Sequence, residues 1–188
     1  MRLLVAYATR YGSTGGIAER VGERLRREGG FEVDLLDVAD RGTVGDLTGY
    51  DAYVIGSALY FGHWLKTAVA FVQDHRESFG SRPTWLFSSG PLGDEPTDDE
   101  GQDKRIGAEP EELAALHGAV DPRGHAVFFG ALDPGALGLR DRAIRKLPAG
   151  RDLLPEGDFR DWDEIEDWAA QIAHELTTLA AGDPEEGA

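Results

Sequence analysis

The chain alternates between two hydrophobic patterns, and the first of them marks short strands. Residues 3–7 and 53–55 are apolar without interruption, which predicts two strands covered on both faces of a sheet. Apolar and polar residues alternate at 31–35, which predicts a strand with one face toward water, as at a sheet edge. Short apolar runs at 85–87 and 126–129 predict a fourth and a fifth strand.

The second pattern repeats about every 3.6 residues and predicts helices between the strands. Ile17, Val21 and Leu25 share one helical face after the first strand, and Gly29 and Gly30 end that helix. Similar stripes predict further helices at residues 64–75, 111–117, 136–147 and 162–176. Because parallel strands need crossover connections, this alternation predicts an α/β fold with a doubly wound parallel sheet and helices on both faces.

The turn from the first strand into the first helix carries the clearest chemical signal of the chain. Thr9, Ser13 and Thr14 supply hydroxyls there, and Gly12 lets the backbone lie close to a ligand. The helix that follows directs its free N–H groups and the positive end of its dipole at the same spot. These features favour a bound phosphate over an ordinary strand-to-helix turn.

Two later turns fall at the same end of the predicted sheet. In doubly wound sheets, ligands bind beyond the carboxyl ends of the strands, where residues 57–62 follow the third strand and 88–93 follow the fourth. Glycines in these turns leave room for the backbone to approach a ligand. An aromatic ring can also stack on a ligand here, and the sequence leaves three candidates open: Tyr60, Phe61 and Trp64.

Composition and charge narrow the classes of partner. The formal net charge of −16 disfavours nucleic acid and suits solubility or docking to a basic redox protein. The chain has no cysteine, its acidic run lacks the spacing of a calcium loop, and we expect no metal site. No apolar run approaches the roughly 18 residues of a membrane-spanning helix, so any membrane contact has to be peripheral.

The ends and the irregular segments of the chain complete the prediction of its organisation. The start lacks the pattern of a secretory signal, which predicts a cytoplasmic protein. We expect a single domain over residues 1–181. Within it, an acidic surface insertion is expected at about 93–110, and a disordered tail is expected at 182–188.

The first turn, Thr-Arg-Tyr-Gly-Ser-Thr at residues 9–14, resembles the FMN phosphate loop of flavodoxins. The two later turns match the loops that flank the flavin ring in that family, and the resemblance extends from residue 2 to about residue 179. Within the superfamily, the chain is most similar to the quinone-dependent protoporphyrinogen dehydrogenase type at residues 57–63, 129–132 and 161–169. Tyr11 departs from the pattern, because many flavodoxins carry Thr or Ser there, and one phosphate-binding hydroxyl is therefore missing.

The resemblance implies a flavodoxin-like sheet of five strands in the order 2-1-3-4-5 and noncovalently bound FMN. The implied residues of the phosphate turn are Thr9, Arg10, Tyr11, Gly12, Ser13 and Thr14. The implied residues around the flavin ring are Ala58, Leu59, Tyr60, Phe61 and Gly62 in the second turn, and Ser89, Gly90, Pro91, Leu92 and Gly93 in the third.

Two functions remain open for such a protein. The resemblance implies an FMN-dependent oxidoreductase that is reduced by a small organic donor, such as a protoporphyrinogen, and oxidised by a quinone, such as menaquinone. Because FMN itself performs the redox chemistry, we expect no catalytic acid–base pair. The alternative is a non-catalytic electron carrier between protein partners, which the acidic composition favours. A nicotinamide-binding domain is a weaker alternative, because residues 12–16 lack the Gly-x-Gly-x-x-Gly pattern.

Overall fold

The computed structural model describes residues 1–40, 45–80, 82–97, 100–147 and 149–182. Residues 98–99 of the predicted acidic insertion and residues 183–188 of the predicted tail lie outside the described residues. The strands are β1 (Arg2–Ala8), β2 (Glu32–Asp37), β3 (Ala52–Tyr60), β4 (His63–Trp64), β5 (Thr84–Ser89), β6 (Gly124–Phe128), β7 (Ala131–Leu132) and β8 (Gly157–Asp158). The helices are α1 (Ser13–Gly29), α2 (Lys66–Asp74), α3 (Arg76–Phe79), α4 (Leu113–Val120), α5 (Leu139–Arg145), α6 (Gly150–Leu153) and α7 (Trp162–Gly182).

In the described part of the chain, five strands form a parallel sheet in the order β2-β1-β3-β5-β6. With the predicted strands numbered in sequence, this is the order 2-1-3-4-5, so the predicted α/β, flavodoxin-like fold is confirmed. β4 adds a short sixth strand, antiparallel to β3, that the sequence did not predict. β7 and β8 pair separately as a small antiparallel sheet.

Helices cover both faces of the sheet, because side chains of a strand point alternately to opposite sides. Leu3 and Val5 of β1 pack in one cluster with residues of α1 and α7. Leu4 and Ala6 pack in the other cluster with residues of α2 and α4. All four side chains are at most 2% exposed. Burial on both faces thus explains why the first strand is apolar throughout.

The prediction of a turn over residues 57–62 is partly wrong. β3 continues to Tyr60 and returns through β4 as a hairpin. The two turn residues, Phe61 and Gly62, both have positive φ, of 52° and 79°. Turns of this kind usually carry Asn, Asp or Gly, so Phe61 gave no signal that a hairpin begins there. The third predicted turn also begins later than expected, because β5 extends to Ser89.

Two of the predicted helices differ in extent, and the described part of the acidic segment contacts the last helix. The helix predicted at 136–147 is shorter in the structure, where α5 begins after Gly138, a residue with an extended backbone. The short helix α6 lies beyond the predicted range. The helix predicted at 111–117 runs instead from Leu113 to Val120. In the described part of 93–110, Arg105 pairs with Asp103 at 2.6 Å and with Glu164 of α7, which fastens this segment to the last helix.

Candidate functional site

The first turn leads from β1 into α1 through Gly12, whose φ of 90° lies in the left-handed region that favours glycine. The Gly12 N–H donates to Thr9 Oγ1 at 2.9 Å, which fixes the shape of the turn. α1 begins at Ser13 with no side-chain cap and no acidic residue in its first turn. Within the described residues, no capping side chain therefore competes with an anion for the N–H groups at this helix end.

Thr14 gives the most specific indication of a ligand in this turn. Its side chain is fully buried, and its Oγ1 has no hydrogen-bond partner in the described part of the chain. A buried hydroxyl without a partner costs about 1 to 3 kcal/mol, and a ligand that accepts its hydrogen bond would remove that cost. The neighbouring Ser13 Oγ is already engaged, because it accepts the Ala131 N–H at 2.8 Å.

A cavity of about 90 Å³ lies where the three turns meet. Eleven of the sixteen predicted site residues line it: Thr9, Arg10, Tyr11, Ser13, Thr14, Ala58, Leu59, Tyr60, Ser89, Gly90 and Leu92. The other five are Gly12, which shapes the first turn, and Phe61, Gly62, Pro91 and Gly93, which lie outside the lining. Of the three aromatic candidates, Tyr60 reaches the cavity, whereas Trp64 is buried in the core and Phe61 is 65% exposed.

Four further residues line the cavity without having been predicted: Gly130, Ala131, Leu132 and Leu154. The first three follow β6, whose carboxyl end lies at the same edge of the sheet as those of β3 and β5. The rule that ligands bind beyond the carboxyl ends of the strands therefore applies to them as well. Leu154 lies just after α6, in a segment with no pattern that could have indicated it.

Gly90 explains how closely the second and third turns approach each other. A Cβ at this position would lie 2.6 Å from Leu59 Cβ, so a larger residue would push the two turns apart. Backbone hydrogen bonds add to this packing, since the Gly90 N–H donates to Phe128 O at 3.2 Å and the Gly130 N–H donates to Pro91 O at 2.9 Å. The third turn is thereby fixed against the segment that follows β6.

A buried carboxylate on α5 joins the first and second turns. Asp141 is 1% exposed and accepts hydrogen bonds from Tyr11 OH and, at 2.5 Å, from Tyr60 OH. Arg10 Nη2 lies 3.2 Å from the same carboxylate, and its Cζ lies 3.9 Å from the centroid of the Tyr60 ring. Asp141 thus connects three side chains that line the cavity, and we call these four residues the Asp141 cluster.

The Asp141 cluster holds its carboxylate in the charged form. Burial by itself raises the pKa of Asp141, but the hydrogen bonds from Tyr11 and Tyr60 and the charge of Arg10 outweigh burial and leave the pKa below its ordinary value. Burial and the hydrogen bond to Asp141 raise the pKa of Tyr60. At neutral pH, the charged carboxylate therefore accepts hydrogen bonds from the hydroxyls of Tyr11 and Tyr60.

A second set of hydrogen bonds connects β4, β5 and β6 near the second turn. Trp64 Nε1 donates to Ser88 Oγ at 2.8 Å, and Ser88 Oγ lies 2.9 Å from His125 Nε2. Burial lowers the pKa of His125 to about 4, so its ring is neutral at neutral pH. Since the Ser88 hydroxyl accepts from Trp64, it can donate its own proton to the neutral Nε2 of His125.

The chain matches the Flavodoxin domain family over residues 4–149. Because this match covers well over half of the 188 residues, the protein belongs to that family. FMN is the cofactor of flavodoxin domains, and the chain is an FMN oxidoreductase of the flavodoxin superfamily.

Among curated proteins, the chain is similar to protoporphyrinogen IX dehydrogenase (quinone) of Escherichia coli strain K12. The two are 27% identical over 179 residues, which cover 93% of this chain and 96% of that protein. A protein of the same name from Leishmania major is 25% identical over 87 residues, which cover 46% of this chain and 37% of that protein.

Solved structures share the fold. A flavodoxin from the domain Archaea superposes with a TM-score of 0.57 at 15% identity, covering 94% of this chain and 99% of that chain. The rubredoxin oxygen:oxidoreductase of Desulfovibrio gigas superposes with a TM-score of 0.60 at 14% identity, and this chain spans 37% of its length. In the described residues, none of the helices is both long and apolar enough to cross a membrane.

Proposed function

We propose that the protein is an FMN-dependent protoporphyrinogen dehydrogenase that passes its electrons to a quinone. The observation that carries this proposal is the similarity to the Escherichia coli enzyme along nearly the whole of both chains. A match restricted to the phosphate turn would support FMN binding alone. A match that includes the segments around and beyond the cavity supports the activity of the whole relative.

In this proposal, the N-terminal end of α1 holds the phosphate of FMN through Thr9, Gly12, Ser13 and Thr14. The residues fit such a group, because among the residues that the structure describes Thr14 Oγ1 is buried without a partner and the helix end has no side-chain cap. Space is also available, since apart from Gly12 and its two chain neighbours no atom of the described residues lies within 4 Å of the position of a Cβ on Gly12. Arg10 is a weaker phosphate ligand than the sequence implied, because its guanidinium already pairs with Asp141.

We assign the flavin ring to the side of the cavity lined by Ala58, Leu59, Tyr60, Ser89, Gly90 and Leu92. Bound FMN supplies the hydride and electron chemistry, and the polypeptide binds it, orients it and limits the access of water. The cavity of about 90 Å³ is smaller than typical ligand pockets of about 300 to 1,000 Å³. Binding therefore requires side chains of the lining to move, and the Asp141 cluster holds three of them.

The experiment that tests this function is anaerobic stopped-flow spectroscopy of the FMN-loaded protein. We expect protoporphyrinogen to reduce the bound flavin, a soluble menaquinone analogue to reoxidise it, and NADPH to be a poor direct donor. Free FMN at the same concentration is the control, because it shows which reactions need the protein. The proposal is wrong if neither the porphyrinogen nor the quinone reacts faster with the protein than with free FMN.

The second candidate function is an electron carrier between proteins, which the net charge of −16 favours. Such a carrier would exchange electrons rapidly with a basic reductase, and the rate would fall steeply as salt screens the attraction. The same stopped-flow instrument therefore decides between the two functions. Fast, salt-sensitive exchange with a basic flavoprotein reductase, together with inert small substrates, would identify the carrier.

A further inference from the structure

The segment that contains α5 and α6 has a charge opposite to that of the protein as a whole. Residues 139–153 contain five of the 19 basic residues but two of the 35 acidic residues, in a chain of net charge −16. One of those two acids, Asp141, is buried and pairs with Arg10, so it adds little charge to the outer surface. The basic residues are Arg140, Arg142, Arg145, Lys146 and Arg151.

Large apolar side chains are exposed in the same segment. Leu139, Leu147 and Leu153 are 86%, 61% and 56% exposed, and they are three of the seven exposed large apolar residues in the described chain. These leucines lie within one segment of 15 residues that also holds five basic residues, and exposed apolar side chains accompanied by polar residues favour an interaction site. We call these three leucines and the five basic residues the α5–α6 surface.

A cleft of about 600 Å³ is lined by five residues of the α5–α6 surface and by two residues that precede α5. Its lining combines charge with apolar atoms: Arg142, Arg145, Lys146 and Arg151, together with Pro134, Leu137 and Leu147. Arg142 Nη2 donates to Gly135 O at 2.6 Å and Arg145 Nε donates to Leu154 O at 3.1 Å, which fixes both side chains at its border. Because Arg145 also pairs with Glu156 at 3.1 Å, Arg142, Lys146 and Arg151 carry most of the positive charge of the cleft. The combination fits an anionic headgroup attached to an apolar chain better than it fits a purely polar anion.

We propose that the α5–α6 surface docks the protein on an anionic phospholipid bilayer. The exposed leucines enter the interface, and the basic residues meet the lipid phosphates, as in other peripheral segments of this composition. The opposite charge of the rest of the protein is repelled by the same bilayer, so the surface also sets the orientation of the protein.

The α5–α6 surface lies close to the cavity, because residues of this segment contact or line it. Asp141 lies on α5 and contacts Tyr11 and Tyr60, which line the cavity. Leu154, immediately after α6, lines it as well. A bilayer bound to the α5–α6 surface therefore lies next to the redox site. This inference rests on the proposed function, because a quinone dissolved in the bilayer is the partner that such an arrangement serves.

The test is sedimentation of the FMN-loaded protein with vesicles of phosphatidylcholine and phosphatidylglycerol at about two to one, compared with pure phosphatidylcholine vesicles. We expect binding to the anionic vesicles only. The variant Arg140→Gln/Lys146→Gln should weaken it by about 20-fold, since each cation near an anionic surface changes the partition about fivefold. The control variant Arg76→Gln/Arg123→Gln changes the net charge equally but lies outside the surface, and it should bind as the unaltered protein does.

A second pair of variants separates the apolar contribution from the charge. Leu139→Asn/Leu147→Asn should weaken vesicle binding by at least about fivefold, because it removes the apolar contact. Ile106→Asn is the matched control, since Ile106 is 72% exposed in another part of the chain and should not matter. Equal losses in both variants of this pair would overturn the proposed surface.

Other occupants and a failure of the proposed function give different results. Absence of vesicle binding, or binding that the surface variants do not change, refutes the docking proposal. Self-association detected by size-exclusion chromatography and abolished by Arg140→Gln/Lys146→Gln would assign the surface to a second copy of this chain. If the vesicles bind as expected but no quinone oxidises the bound flavin, the docking surface stands and the proposed function fails. If a soluble quinone oxidises the bound flavin but the vesicles do not bind, the proposed function stands and the docking surface fails.

Discussion

Asp141→Asn is the substitution that most directly tests the arrangement of the cavity. The side chain keeps its size but loses its charge, and one acceptor oxygen becomes an NH₂ group that cannot accept a hydrogen bond. In the native protein that carboxylate accepts from Tyr11 and Tyr60 and pairs with Arg10. The variant therefore leaves at least one tyrosine hydroxyl without its acceptor.

The expected loss of stability follows from the burial of these partners. A hydrogen bond to a charged group contributes about 1.5 to 3 kcal/mol, but bonds that share one carboxylate do not add fully. The ion pair contributes less, because the Arg10 side chain is 37% exposed and solvent screens it. We expect the free energy of unfolding to fall by about 2 to 4 kcal/mol, which lowers Tm by roughly 5 to 15 °C. FMN should also dissociate faster, because Tyr60 and Arg10 are no longer held.

The assay is chemical denaturation of the FMN-free protein at pH 7, combined with the rate at which FMN fluorescence appears on dilution of the loaded protein. Glu166→Gln is the control, because Glu166 contacts Arg20, Arg24 and Arg27 at the surface, and its effect should be clearly smaller. Tyr60→Phe should destabilise the native protein but have little effect in the Asp141→Asn background. Fully additive effects of the two substitutions, or an unchanged rate of FMN release, would refute the role of this carboxylate.

The other predictions concern the phosphate turn and the buried histidine. Thr14→Val keeps the shape of the side chain but removes its hydroxyl, which has no partner among the described residues, so the FMN-free protein should be at least as stable as the unaltered one. The binding free energy of FMN should weaken by about 1 to 2 kcal/mol, whereas riboflavin affinity should not change. Titration by flavin fluorescence measures both affinities. Gly12→Val should weaken FMN binding through backbone strain rather than a clash, because φ is 90° and the space around the Cβ is open; unaltered affinity would move the phosphate elsewhere. His125 has a pKa of about 4 in the folded protein, and its ordinary value is 6.5. As the pH falls, the unfolded chain therefore binds the proton first, and the free energy of unfolding should fall by about 1 to 2 kcal/mol between pH 7 and pH 5. Urea denaturation should show that this loss is much smaller in His125→Gln.

Local patterns predicted the sheet and the turn between β1 and α1 well, because both depend on residues that are close in sequence. The apolar run at 3–7 indicates a strand buried on both faces, and the hydroxyls and Gly12 directly after it favour a polar ligand at the helix end. The β3–β4 hairpin was missed, because its turn begins at Phe61, a residue type that rarely adopts positive φ. The short helix α6 was missed because four residues are too few to show a helical periodicity.

The Asp141 cluster shows a second limit of sequence reasoning. Its carboxylate lies 130 residues from Tyr11 and 81 residues from Tyr60 in the chain, and no periodicity connects positions so far apart. On its own, Asp141 reads as an ordinary polar residue on the solvent side of a helix. Its burial becomes apparent only when α5 is packed beside the carboxyl ends of β1 and β3.

One side of α5 faces the cavity through the buried Asp141, and the other side is exposed at Leu139 and Arg140. The role of α5 in FMN binding and its role in docking to a bilayer can therefore be tested separately. The helix has seven residues, too few to be stable in isolation, so its position depends on tertiary contacts such as those of Asp141. Arg140 and Leu139 are adjacent in sequence to Asp141 or to each other but are exposed, and neither lines the cavity. Loss of Asp141 should therefore impair FMN retention first, and vesicle binding only as far as α5 shifts. Loss of Leu139 and Leu147 should impair vesicle binding and leave FMN affinity unchanged. If instead loss of Asp141 impaired vesicle binding first, and loss of the two leucines impaired FMN affinity, α5 would contact the bilayer through the side that carries Asp141, contrary to the packing of that residue.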